Sequence, residues 1–193
     1  GLKALSVRRA QIDAQVPAPM QRLIDGQLAM LKDITQRVDQ LEAEIAALGK
    51  AHATESRLRQ VPGIGLLGAS ALAATLGDAR GWKSGREFSA SLGIVPAHSG
   101  TGGKVHLGHI SKRGDPYLRT LLIHGARAVI THAKHKPRWL EQLLARRPVN
   151  VAIVALANKM ARTAWALVAH SREYQTEWKS TPPTSCTAQT AAA

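Results

Sequence analysis

The chain has 193 residues, 45% of them apolar, enough to build one compact domain with an appendage and too many for full disorder. Aromatic residues make up only 4% and alanine is abundant, which favours helices packed through small side chains. Lys and Arg number 26 against 13 Asp and Glu, a formal charge of +13 that suits a polyanionic partner, nucleic acid before an acidic membrane surface. Cys186 is the lone cysteine, which excludes a disulfide framework or a cysteine-built zinc site and fits a reducing, cytoplasmic setting. No apolar run reads as a membrane span and no secretory segment is recognisable, so no membrane partner is expected. The first residue is Gly1 rather than Met, and the chain is read as a fragment or a truncated reading frame.

Residues 1–16 form a short amphipathic pattern that Pro17 and Pro19 interrupt. From Met20 to Leu48 the periodicity sharpens. Leu31, Ile34, Val38, Leu41, Ile45 and Leu48 step by three and four, an a/d heptad seam that predicts a long helix, either packed within its own chain or paired with a second copy. Residues 1–53 are therefore a helical connector, 54–178 a second unit and 179–193 a polar, disordered tail. The second unit opens on Val61-Pro62-Gly63-Ile64-Gly65, followed by an Ala-rich helix over 66–76. Ser84 to Glu87 has capping-box spacing and starts a helix to Leu92. The Gly-rich stretch 93–113 cannot be a regular helix and has room for one short hairpin. Asp115 as N-cap with Pro116 at N1 starts a helix to about Ala133. Pro137 starts another to Ala145, and Pro148 or Asn150 the last, to His170. The fold class is thus mainly α.

Three features carry chemistry. Pro62, Gly63 and Gly65 resemble a helix-hairpin-helix turn, in which glycines admit a phosphate closely and the next helix presents its backbone N–H groups to it. Such a contact positions nucleic acid without reading bases. The plain alternative is a helix–helix turn. The second is the loop His98-Ser99-Gly100-Thr101-Gly102-Gly103-Lys104, where a bare backbone lies beside two hydroxyls. Its residues suit a phosphate grip, or a nucleophile if a base and charge stabilisation lie nearby. The third is charge: from Phe88 to Leu140 the sole acid is Asp115, against Lys104, Lys112, Arg113, Arg119, Arg127, Lys134, Lys136 and Arg138. One-signed charge over fifty residues favours a DNA- or RNA-facing surface. The histidines at 98, 106, 109, 124, 132 and 135 lack both metal-site spacing and acidic companions, so no metal site is assigned.

The stretches Val61–Gly65, Gly77-Asp78, Ser91–Pro96, Gly102–Lys104, Ile110–Asp115, Tyr117–Arg127 and Ala152–Trp165 together resemble the C-terminal domain of the insertion-sequence one-ten family of transposases, especially its one-eleven-eleven branch. The helical stretch before Arg57 is similar to that family's coiled-coil connector. The resemblance implies a DNA recombinase guided by a bridge RNA, with magnesium held by four acids of an N-terminal resolvase-like domain and no cofactor in the present residues. It also implies a serine that links covalently to DNA. By position that serine is Ser99. Members of the branch place two adjacent hydroxyl residues directly before Gly-Gly-Lys, whereas here Ser99 and Thr101 are separated by Gly100, so Thr101 is the second candidate. On this reading Pro62, Gly63, Gly65, Gly102, Gly103, Lys104, Lys112, Arg113, Arg119 and Arg127 hold nucleic acid. The rival reading is a non-catalytic helix-hairpin-helix DNA-binding module with a dimerising helix.

Overall fold

The computed structural model describes residues 7–101 and 104–176. Among the described residues, eight helices and one hairpin follow one another: α1 (Arg9–Gln15), α2 (Ala18–Lys50), α3 (Ala53–Leu58), α4 (Leu66–Leu76), α5 (Gly85–Ser91), β1 (Pro96–Thr101), β2 (Lys104–Ile110), α6 (Pro116–His132), α7 (Arg138–Arg146) and α8 (Val149–Ala169). The mainly α architecture matches the sequence expectation. The tail beyond residue 178 and the pair Gly102-Gly103 lie outside the described residues.

The two prolines near the start act differently. Pro17 sits at the break, while Pro19 lies in the first turn of α2, where a missing backbone N–H costs no hydrogen bond. Gly49 likewise does not stop α2, which continues to Lys50. α1 folds back on the start of α2: Arg9 pairs with Asp25 at 2.7 Å, and Gln21 donates to the carbonyls of Asp13 and Val16. The heptad seam beyond this contact is open to solvent, with Leu31 42%, Ile34 44%, Val38 47%, Leu41 58% and Leu48 68% exposed. Gly49 is the buried residue of α2, lodged against the carboxylate of Glu55 where the long helix meets α3.

Local signals set the next elements. The hydroxyl of Ser84 accepts the Glu87 backbone N–H, and the Glu87 carboxylate accepts the Lys83 N–H at 2.7 Å, so the reciprocal arm of the box reaches one residue before the cap. Asp115 caps α6 by accepting the N–H groups of Tyr117 and Leu118. The core is assembled around α8, which packs on α3, α4, α5, α6 and α7. It buries Ala152, Ile153, Ala157, Met160, Ala161 and Ala164 against a cluster that includes Leu58, Leu72, Phe88, Leu118, Leu122 and Leu140. With 21 residues and a mean hydropathy of 1.3 in its best window, α8 has the length and composition to cross a membrane. This departs from the expectation that no segment does. The expectation rested on unbroken apolar runs, and Asn158, Lys159 and Arg162 interrupt this one. Here it serves as the core helix. After α8 the irregular segment 171–176 returns to the end of α3, where Glu173 accepts from Gln60 and pairs with Arg57, and the Tyr174 N–H donates to Gln60.

One backbone contact ties the Pro62–Gly65 turn to this core. Gly63 has φ +90, a conformation that side chains rarely adopt. A Cβ there would stand 2.9 Å from both the Gly125 carbonyl oxygen in α6 and the Met160 methyl in α8. A Cβ on Gly125 would overlap the Gly63 carbonyl. Gly125→Ala is therefore expected to destabilise the protein by about 2 kcal/mol or more, as overpacking does. Gly26→Ala, in α2 where a Cβ meets nothing, should stabilise its helix by about 0.8 kcal/mol. Urea unfolding of both variants checks the contrast, and equal midpoints would disprove the packing role.

Candidate nucleic-acid interface

β1 and β2 pair antiparallel, with Pro96 opposite Ile110, His98 opposite Leu107, Ser99 opposite His106, Gly100 opposite Val105 and Thr101 opposite Lys104. The register slips between Pro96 and His98, so a bulge lies just before Ser99. The register thus brings both candidate hydroxyl residues and Lys104 to the distal half of one hairpin.

Its base is held by backbone geometry that only particular residues permit. The Ser111 N–H donates to the Val95 carbonyl at 3.0 Å and the Lys112 N–H to the Gly93 carbonyl at 3.1 Å. Gly93 (φ +68) presses on the backbone of Arg113, and Gly114 (φ +101) on the Ser91 carbonyl, leaving no room for a Cβ at either position. Lys112 itself takes a left-handed conformation, φ +55. This crossing of α5's end under the start of α6 leaves Lys112 and Arg113 exposed beside the α6 N-terminus. Tyr117, 55% exposed in the first turn of α6, stands next to them. The sequence reading passed over it as part of a longer match, although an exposed aromatic beside two cations is a usual signature of contact with bases or sugars.

The remaining expected residues divide by environment. Arg127 is exposed on α6. Arg119 is half-buried, and its guanidinium donates to the Leu92 carbonyl at 3.0 Å. It therefore closes the end of α5 and fixes the entry to the hairpin, a role that the charge pattern did not suggest. Pro62 and Gly65 are exposed at the turn before α4, whereas the close approach that Gly63 permits is to Gly125. Gly125, in turn, was legible only as an isolated glycine in a helical pattern, which signals packing. Among the described residues no group of three His, Cys, Asp or Glu side chains is placed to hold a metal ion.

Losing the charged hydrogen bond of Arg119 should cost about 1–2 kcal/mol of stability in Arg119→Gln, while Arg127→Gln should leave stability unchanged. Thermal unfolding measured by circular dichroism distinguishes them, and a neutral Arg119→Gln would remove its structural role.

Residues 55–142 match the family described as Transposase IS116/IS110/IS902. A probable family 20 transposase of Pseudomonas aeruginosa is 50% identical over 166 residues, covering 84% of this chain and 49% of that protein. The transposase for insertion sequence element IS1111A of Coxiella burnetii is 39% identical over 160 residues, 81% of this chain and 44% of that protein. The transposase for IS1328 of Yersinia enterocolitica is 40% identical over 138 residues, 69% and 41%. The chain spans about half the length, or less, of these curated relatives. Matched through α3 to α7 by the family and along most of its length by these proteins, the chain belongs to the IS116/IS110/IS902 family of transposases.

Proposed function

We propose that this chain is the C-terminal part of a DNA transposase, in which the hairpin meets the DNA strand that is cut and rejoined. The observation that carries the reading is the hairpin itself: Ser99 and Thr101 on β1, Lys104 across from Thr101 and the exposed pair Lys112-Arg113 at its base, in a stretch whose sole acid is occupied as a helix cap. An anionic backbone approaching this region meets cations and no repulsive charge.

Ser99 is the nucleophile of this reading. Its hydroxyl oxygen bonds to the phosphorus of a phosphodiester, the proton leaves to a base, and the bond from phosphorus to one sugar oxygen breaks, leaving a phosphoserine ester and a strand ending in a hydroxyl. Lys104, Lys112 and Arg113 neutralise the charge that grows on the phosphoryl oxygens. Pro62, Gly65 and Arg127 extend the contact along the backbone, and a bridge RNA selects the sites. Magnesium, when part of this chemistry, is held on this reading by acids of a resolvase-like domain outside the present residues. The setting is the cytoplasm, where the DNA is.

Strand exchange joins two DNA sites and needs two protomers. The open seam of α2 supports pairing of two copies, because a stripe from Leu31 to Leu48 with heptad spacing is what a coiled coil covers.

In the full-length transposase, Ser99→Ala should abolish the covalent protein–DNA product while DNA affinity stays within about twofold, read by denaturing gel and by anisotropy. Undiminished covalent product would move the role to Thr101 if Thr101→Ala then abolishes it, and otherwise leave a DNA-binding module without a nucleophile. Sedimentation of this chain should give a dimer or larger assembly that Ile34→Glu with Leu41→Glu reduces to monomer. A wild-type monomer at tens of micromolar would dismiss the seam as an interface.

A further inference from the structure

Outside the hairpin and the Pro62–Gly65 turn, α8 carries a second set of cations. Between Glu141 and Glu173 the sequence holds Arg146, Arg147, Lys159, Arg162 and Arg172 and no acid. On the solvent side of α8, Lys159 and Arg162 are exposed, flanked by the small half-buried residues Ala155 and Ala166. The Lys159 ammonium lies 4.5 Å from the centre of the Trp139 ring on α7, which holds it in place through the negative face of the indole. Burial, and then the charge of Arg162 one turn away, lower the Lys159 pKa.

A third cation joins from α5. Gly85 is packed on the Arg162 main chain, where a Cβ would stand 3.0 Å from the carbonyl oxygen and 3.2 Å from Cα. The following residue, Arg86, is exposed. The acids on the flanking elements are Glu87, whose carboxylate accepts the Lys83 N–H, and the exposed Glu141 on α7. Neither pairs with these cations: Arg86, Lys159 and Arg162 form no ion pair among the described residues. Lys159 and Arg162, one of them partly desolvated, repel each other, and the Gly85 contact sets Arg86 at the next position along α5; an anion relieves that repulsion.

We propose that Arg86, Lys159 and Arg162, backed by Trp139, form a second contact face for the phosphates of duplex DNA, separate from the hairpin. It rests on the reading that the chain engages DNA, and it adds a site at which the duplex is gripped without base readout.

The test is the anisotropy of a labelled duplex of about 20 base pairs and arbitrary sequence, titrated with the whole chain over a range of salt. Lys159→Gln with Arg162→Gln should reduce the salt slope by about 2 and raise Kd about 30-fold near 0.15 M salt, the factor for two lost phosphate contacts. Arg86→Gln with Arg162→Gln, which keeps the lysine on its indole, should do the same and decides the matter if the first pair misfolds by circular dichroism. Wild-type affinity and slope in both, with Lys112→Gln/Arg113→Gln weakened, would overturn this face and leave the hairpin reading standing. A wild-type chain without salt-dependent DNA binding would overturn both. A loss confined to an RNA duplex of equal length would overturn the choice of DNA.

Discussion

Helix α8 offers alanines at positions 152, 157, 161 and 164, all fully buried, to the helices that surround it. Small side chains allow close helix approach, and five other helices reach α8 in this way. The placement of the remainder follows from that. Gly85 brings α5 onto the Arg162 main chain, Met160 meets the Gly63–Gly125 contact, and α7 lays Trp139 alongside. Only Phe88 among the described aromatics is fully buried, with Trp82, Trp139 and Trp165 packed at the margin of the core, so dense packing at its centre is reached by closing distances.

The hairpin is positioned by the same economy of volume. Its base joins the core through the buried side chains of Leu92 and Ile94. It is fixed by two glycines pressed on main chain, by Lys112 in a left-handed conformation and by the guanidinium of Arg119 at the Leu92 carbonyl. These contacts join residues 91–95 to residues 111–119, so the two ends of the Gly-rich stretch are held together independently of its tip.

Elements with local causes were legible in the sequence. The helix over 66–76 has the predicted bounds, Asp115 and Pro116 begin α6 as expected, and Ser84 with Glu87 opens α5. The hairpin strands fall within the stretch reserved for them. Pro19 does not interrupt the helix as expected, because a helix tolerates proline in its first turn. What stayed hidden is nonlocal. The partner of Gly63 is 62 residues further along and that of Arg119 lies 27 residues earlier. Charge counting could not separate Arg119, which is tied to backbone, from Arg127, which is not. The site residues near Ser99 were reached through similarity of motif, since no spacing in this sequence singles out one hydroxyl from another.

The joint at Gly49 has a mechanical side. A helix of 33 residues is about 50 Å long, and apart from α1 at its start α2 touches the rest of the chain on α3 and α4. It is a lever with its fulcrum beside the Glu55 carboxylate. A tilt of about 10° at that point swings the far end by about 9 Å, more than the width of the side-chain layer between two paired helices. The direction of the arm is therefore decided at a joint where a glycine lies against a carboxylate, one short contact at the end of a long helix.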